Sequence, residues 1–152
     1  MSQPTRSRVG AESDLRGLAA REACRDVVLT SFALADAGRR VDIAEFFIND
    51  GVQSIDGNAV RGRREIRAVL AARDAVPGRR TAHLLSEVDV DASTGYPDEV
   101  VVRGFIQLYL LNEEERISAE PNALAQVEDR LVPDSGVWRI SKRSITTLVG
   151  RG

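Results

Sequence analysis

The chain has 152 residues, of which 43% are hydrophobic and 29% charged, a balance typical of a globular domain. This length is sufficient for one domain with a single hydrophobic core. No stretch approaches the roughly 20 consecutive apolar residues of a membrane span. The formal charge is −2, and arginines alternate with carboxylates instead of clustering with aromatic residues. Composition therefore predicts neither a membrane nor a nucleic acid as partner.

The chain has one cysteine, Cys24, and one histidine, His83. Together they provide too few ligands for a zinc site, so we expect no bound metal. Cys24 lies in an apolar helical stripe, which favours a buried structural thiol over a nucleophile.

The first thirteen residues are polar and lack the apolar segment of a signal peptide. We therefore predict a mobile tail at residues 1–13 and a cytoplasmic protein. A single domain is expected at residues 14–149.

Apolar residues recur at three- and four-residue spacing in the first half of the chain, which predicts three helices. The first ends near Gly38, since glycine adopts the left-handed conformation of a helix C-terminus. A short strand and a turn are expected between the second and third helices. The predicted helices are residues 13–38, 41–48 and 62–72, the strand is 52–55, and the turn is 56–58.

After Gly78 the apolar residues follow the two-residue period of strands. Turn-forming residues separate the strands, so neighbours are expected to pair as antiparallel hairpins. Helices followed by an antiparallel meander predict an α+β fold with the helices on one face of the sheet. The predicted strands are residues 81–90, 99–111, 124–132 and 137–148, and the breaks are 93–97, 112–122 and 133–136.

Successive strand residues point to opposite faces, so alternation sorts the side chains. One face of residues 99–111 is apolar throughout and is expected to be buried: Val100, Val102, Gly104, Ile106, Leu108 and Leu110. The other face either lines a polar pocket or meets water or a partner subunit: Arg103, Phe105, Gln107 and Tyr109. Two further sets are grouped by alternation: His83 with Leu85 and Glu87, and Asp129 with Val127 and Leu131.

Four segments follow one another: Leu-Ala-Asp-Ala-Gly at residues 34–38, Ala-Glu-Phe-Phe-Ile-Asn-Asp-Gly-Val at 44–52, Val-Arg-Gly-Arg-Arg-Glu-Ile-Arg at 60–67 and Gly-Val-Trp-Arg-Ile-Ser-Lys-Arg at 136–143. In this order and spacing they resemble a SnoaL-like domain of the nuclear transport factor two-like superfamily. The resemblance covers about residues 14–149, nearly the whole chain.

The resemblance implies a cone in which three N-terminal helices pack inside a curved, mostly antiparallel mixed sheet, with a blind apolar pocket at one end. Enzymes of the superfamily include ketosteroid isomerase, scytalone dehydratase, bile-acid dehydratase, limonene epoxide hydrolase and polyketide cyclases. Other members are not catalytic, so the fold alone does not decide the function.

The resemblance also assigns candidate catalytic residues. Dehydratase-like members carry on the first helix a tyrosine and, shortly after it, an aspartate that pairs with a histidine on the strand after the third helix. The aspartate position falls on Asp36 and the histidine position on His83. The tyrosine position falls on Ser31, with Phe32 adjacent.

Further pocket positions follow from the same comparison. The general-base aspartate of ketosteroid isomerase falls on Ile55, and its proton-donating aspartate falls near Asp129. Tyr109 is a further candidate polar group of the pocket.

These assignments leave several functions open. The first is a cofactor-independent dehydratase, isomerase or cyclase that acts on a small apolar molecule, with His83 as acid or base and Asp36 as its orienter. The second is a non-catalytic ligand-binding or scaffold protein, in which the pair only holds helix to sheet. The third is the small subunit of an aromatic-ring oxygenase. For any of them the resemblance implies a homodimer or homotrimer formed through the sheet.

Overall fold

A computed structural model describes residues 8–95, 98–111 and 120–150. Helices come first and strands follow, so the predicted α+β class is confirmed. The elements in chain order are α1 (Arg8–Asp36), a 3₁₀ helix (Arg40–Phe46), β1 (Phe47–Ile55), β2 (Asn58–Arg61), α2 (Arg63–Asp74), β3 (Thr81–Gly95), β4 (Glu99–Leu110), β5 (Ala123–Asp134) and β6 (Val137–Gly150).

The strands form one sheet in the order β2-β1-β6-β5-β4-β3. The predicted hairpins are confirmed, because β3 to β6 pair antiparallel with their neighbours along the chain. The exception to antiparallel pairing is β1, which runs parallel to β6. This pairing makes the sheet mixed, as the resemblance implied, and places the last strand of the chain in its interior.

The N-terminal half differs from prediction in three places. The helix predicted at 41–48 is a 3₁₀ helix that ends at Phe46, because Phe47 already pairs with Ile140 of β6. The edge strand β2 was not predicted, since its four residues are mostly exposed and show no alternation. Helix α1 begins at Arg8, inside the predicted tail.

Some predicted segments fall wholly or partly outside the described residues. Residues 1–7 of the predicted tail do so, as do 96–97 and 112–119 of the predicted turns. In the described ranges, no helix is long and apolar enough to cross a membrane.

One stripe of α1 packs on the inner face of the sheet. It contacts β3, β4 and β6, and its buried residues recur at three- and four-residue spacing: Cys24, Val28, Ser31, Phe32 and Ala35. Cys24 is fully buried, and this burial raises the pKa of its thiol to about 12. The prediction of a buried structural thiol is confirmed.

The inner face of the sheet follows the predicted alternation along much of β4 and β5. Val127, Asp129 and Leu131 are all buried, and so is the apolar face of β4 from Val100 to Ile106. The burial predicted for Leu110 is wrong, because at the end of β4 its side chain is 48% exposed.

A bulge in β3 breaks the alternation that grouped Glu87 with His83. The register of β3 against β4 shifts between Ser86 and Asp89, and Glu87 adopts a φ of 51°. The carboxylate therefore lies on the outer face of the sheet, in a groove shared with Arg103 and Phe105.

Candidate active site

A cavity of about 420 Å³ lies between the helices and the inner face of the sheet. Its size falls within the range of about 300–1,000 Å³ that is usual for small-molecule sites. Most of its wall is apolar: Phe32, Ala35, Ile43, Ile55, Leu70, Ile106, Leu108, Ala123, Ala125 and Ile145. Its polar lining residues are Arg40, Gln53, Arg73, Arg79, His83, Arg143 and Thr147.

The structure brings Asp36 and His83 together at this wall. Asp36 is the last residue of α1, and its Oδ1 lies 2.5 Å from Nδ1 of His83 on β3. Its Oδ2 accepts the backbone N–H of His83 at 2.8 Å. These bonds explain why an acid is present in the last turn of a helix, where the helix dipole disfavours it.

Further side chains hold the Asp36 carboxylate from behind. The hydroxyl of Thr81 donates to Asp36 Oδ1 at 3.0 Å and accepts from Nη2 of Arg40 at 2.8 Å. Arg40 is in turn paired with Asp74, which also accepts backbone N–H groups at the start of the 3₁₀ helix. The chain of bonds from Asp74 to Asp36 fixes the carboxylate.

This geometry determines which imidazole nitrogen of His83 is available. The carboxylate of Asp36 accepts the proton on Nδ1, so Nε2 of the neutral ring carries the lone pair. The His83 side chain is 15% exposed and lines the cavity. Nε2 is therefore the atom through which His83 can exchange a proton with a bound molecule.

A second polar cluster is centred on Arg143 of β6. Its guanidinium binds Asp129 bidentately, with Nε–Oδ1 at 2.8 Å and Nη2–Oδ2 at 2.6 Å. Nη2 also donates to the Ser31 hydroxyl at 2.7 Å, and this hydroxyl donates to the Val28 carbonyl at 2.7 Å. Asp129 and Ser31 are fully buried, whereas Arg143 lines the cavity.

Phe32 links the two clusters. The guanidinium carbon of Arg143 lies 4.7 Å from the centre of the Phe32 ring, a distance suited to cation–π attraction. The imidazole of His83 lies 5.3 Å from the same ring centre, tilted by 46°. One aromatic ring thus contacts both the guanidinium of Arg143 and the imidazole of His83.

Some of the predicted pocket residues line the cavity and others do not. His83, Phe32 and Ile55 line the cavity, and Asp36 stands behind His83. Ser31 and Asp129 are bonded to Arg143 and do not form part of the lining. Tyr109 does not line the cavity either, because Ile106 and Leu108 occupy the inner face of β4 and Tyr109 alternates to the outer face.

Several cavity residues were missed from the sequence. Gln53 is only 4% exposed and lines the cavity, and its side chain has no hydrogen bond within the part of the chain that the structure describes. Arg40 and Arg143 of the lining and Thr81 behind it were also missed, since each follows another polar residue in the sequence and none stands out from its neighbours. Inward alternation of Gln53 on β1 was the available signal, but the strand was predicted too short to use it.

The sequence profile of the SnoaL-like domain matches residues 16–144 of the chain. The chain belongs to the SnoaL-like family. No curated protein matches the sequence significantly. Solved structures of the same fold are numerous, and they place this SnoaL-like protein among nuclear transport factor two-like folds.

Three of these structures show how far the likeness reaches. An NTF2-like protein with a cystatin-like fold from Novosphingobium aromaticivorans is 20% identical, with a TM-score of 0.78 over 97% of this chain and 94% of the other. A candidate scytalone dehydratase from the same organism is 20% identical, with a TM-score of 0.72 over 91% and 89%. A Catenulispora acidiphila protein, in complex with S-DNPA, is 16% identical, with a TM-score of 0.69 over 86% and 94%.

Proposed function

We propose that the protein is an enzyme that moves a proton on a small, largely apolar molecule, as a dehydratase, isomerase or cyclase, without a cofactor. His83 is the acid and base, and Asp36 orients it. The observation that carries this proposal is the 2.5 Å contact between Asp36 Oδ1 and His83 Nδ1 at the wall of a cavity. A protein of the same fold has been solved in complex with a small molecule, S-DNPA, which supports small-molecule binding as a use of this fold.

The proton path follows from the free nitrogen. His83 Nε2 takes a proton from a carbon next to a carbonyl group, and the electron pair of the broken C–H bond moves towards the carbonyl oxygen. The resulting imidazolium is stabilised by the carboxylate of Asp36. Return of the proton to a β-hydroxyl breaks its C–O bond, forms a C=C bond and releases water, whereas return to another carbon isomerises the molecule.

The negative charge on the carbonyl oxygen needs a donor in the same cavity. Arg143 and Gln53 both line it, and their N–H groups are donors of the kind that stabilise such charge. They take the role that a tyrosine has in dehydratase-like relatives, where this chain has the buried Ser31.

The proposal is tested by α-proton exchange, which needs no knowledge of the natural substrate. Deuterium incorporation from D₂O into cyclic ketones such as tetralone is followed by NMR with the wild type and with His83→Gln. Loss of a general base costs about 10²–10⁴-fold, so we expect the catalysed rate to fall by at least about 100-fold with the fold intact by circular dichroism.

Tyr109→Phe is the matched control, because this residue lies on the other side of β4 and should leave exchange unchanged. Catalysed exchange that persists at the wild-type rate in His83→Gln would sink the proposal.

A non-catalytic ligand-binding protein is the second candidate. Two positions favour it. The tyrosine of dehydratase-like relatives is replaced by Ser31, which does not line the cavity, and the general-base aspartate of ketosteroid isomerase is replaced by the apolar Ile55. In this case apolar compounds would raise the melting temperature of the protein and be recovered chemically unchanged.

We further propose that copies of the chain associate through the outer face of the sheet as a dimer or trimer. This face carries the half-buried ring of Phe105 beside the Arg103–Glu128 ion pair. Light scattering at micromolar concentration should show the oligomer, and a monomer at that concentration would contradict the proposal.

A further inference from the structure

Among the described residues, the charged side chains that line the cavity are all positive. Four arginines line it, namely Arg40, Arg73, Arg79 and Arg143, and none of the described lining residues is an acid. Two of the four are neutralised from behind the wall, since Asp74 pairs with Arg40 and Asp129 with Arg143. The other two, Arg73 and Arg79, form no ion pair with any carboxylate that the structure describes.

Other arginines, such as Arg61 and Arg64, also lack a carboxylate partner among the described residues, but they do not line the cavity. Arg79 is exposed. Arg73 is half-buried at the last turn of α2, where burial lowers the pKa of its guanidinium and the charges of Arg79 and Arg40 lower it further. A partly buried cation beside two others is unfavourable unless an anion joins it.

We propose that the cavity binds a molecule with a carboxylate at one end, held by Arg73 and Arg79, and an apolar ring system that reaches Phe32 and His83. The inference rests on the proposed function in that it uses the same cavity and narrows its substrate class.

The lining favours a carboxylate over a phosphate. Planar guanidinium groups match the two oxygens of a carboxylate bidentately. Phosphate sites typically use the backbone N–H groups of a helix N-terminus. Here α2 presents its C-terminal end, with Arg73 in its last turn.

The experiment compares probes that differ mainly in charge. Isothermal titration calorimetry measures the binding of naphthoate, its neutral isostere naphthamide and naphthyl phosphate to the wild type and to the double variant R73Q/R79Q. We expect the wild type to bind naphthoate about 10- to 100-fold more tightly than naphthamide, the span given by charged hydrogen bonds. In R73Q/R79Q this preference should disappear while naphthamide affinity stays within about twofold, because its apolar contacts remain.

The matched control is R61Q/R64Q, which removes two positive charges outside the cavity. Arg64 is exposed on the same helix as Arg73, and Arg61 is exposed on the edge strand β2. This variant should keep the wild-type preference, which separates a local contact from the effect of net charge. Thermal unfolding of all variants checks that the fold is retained.

Four results would overturn the inference: equal affinity of the wild type for naphthoate and naphthamide, an unchanged preference in R73Q/R79Q, tighter binding of naphthyl phosphate than of naphthoate, or no binding of naphthoate, benzoate or phenylacetate. The proposed enzymatic function is tested separately, by measuring α-proton exchange. Carboxylate preference without exchange would support the site and reject the enzyme, and exchange without the preference would do the reverse.

Discussion

Asp36 and Asp129 each hold a side chain against Phe32, but the two clusters are built differently. The Asp129 and Arg143 side chains are 0% and 3% exposed, and the guanidinium group of this pair provides a fixed positive charge. The Asp36 and His83 side chains are 27% and 15% exposed, and an imidazole can both accept and donate a proton. The first cluster therefore supplies a fixed charge, and the second can exchange protons.

The two clusters should also differ in how much stability is lost when one partner of the pair is mutated. A buried ion pair is strongly destabilising to break, because the remaining charge has neither water nor a partner. A half-open pair loses less, since water can reach the group left behind. We therefore expect mutations of Asp129 and Ser31, the buried partners of Arg143, to affect mainly folding, and mutations of His83 and Asp36 to affect mainly turnover.

The largest effect on stability is expected for Asp129→Asn. This change leaves the Arg143 charge buried without a counter-ion, so the free energy of unfolding should fall by about 3–5 kcal/mol, measured by urea denaturation. Glu128→Gln is the control, because its exposed pair with Arg103 contributes only about 0–1 kcal/mol. A loss below about 1 kcal/mol for Asp129→Asn would contradict the assignment of this cluster as structural.

An intermediate effect is expected for Thr81→Val, which removes the hydroxyl between Arg40 and Asp36. Buried Arg40 loses an acceptor, so stability should fall by about 1–3 kcal/mol. Because Asp36 loses one of the donors that fix it, the catalysed exchange rate should fall as well, with little change in substrate affinity. Thr81→Ser restores the hydroxyl and should restore the rate. No rescue would remove Thr81 from the positioning role.

A smaller effect is expected for Ser31→Ala. Among the described residues the hydroxyl bonds only Val28 and Arg143. Stability should therefore fall by about 0.5–1.5 kcal/mol, with the α-proton exchange rate unchanged. A rate that fell tenfold or more would place Ser31 in the chemistry after all.

The smallest effect near neutral pH is expected at Cys24, a buried titratable group with no charged partner among the described residues. Because burial raises the pKa of its thiol to about 12 from the ordinary 9.0, the unfolded chain releases this proton at lower pH than the folded one. The free energy of unfolding therefore falls as the pH rises from 9 towards 12, and Cys24 causes no such loss below pH 9. Rapid reaction of the native protein with a thiol reagent at neutral pH would contradict this burial.

Much of the fold was predictable because its signals are local. The strands from β3 to β6 are long, alternate regularly and are separated by turn-forming residues. Glycine marks the end of α1 for the same kind of reason. The start of β1 was not predictable, since Phe47 is drawn into the sheet by β6, a strand about ninety residues later in the chain.

The candidate site likewise contains residues that could be predicted from the sequence and residues that could not. The positions of Asp36 and His83 followed from the resemblance, whereas the Arg143 cluster depended on register. Counted back from the turn, Asp129 should face Lys142, but a shift between Arg130 and Leu131 places it opposite Arg143. A one-residue shift of this kind cannot be read from alternation.

The position of β6 also affects when the cavity can exist during synthesis. β6 is the last of the strands that the structure describes but lies between β1 and β5, and it contributes Arg143, Ile145 and Thr147 to the wall. Until it emerges from the ribosome, β1 lacks its parallel neighbour and the Asp129 carboxylate lacks its counter-ion. Helices and hairpins made earlier can form by local contacts, but closure of the sheet waits for a pairing between distant segments, which is slow. The cavity can therefore close only after β6 has been synthesised.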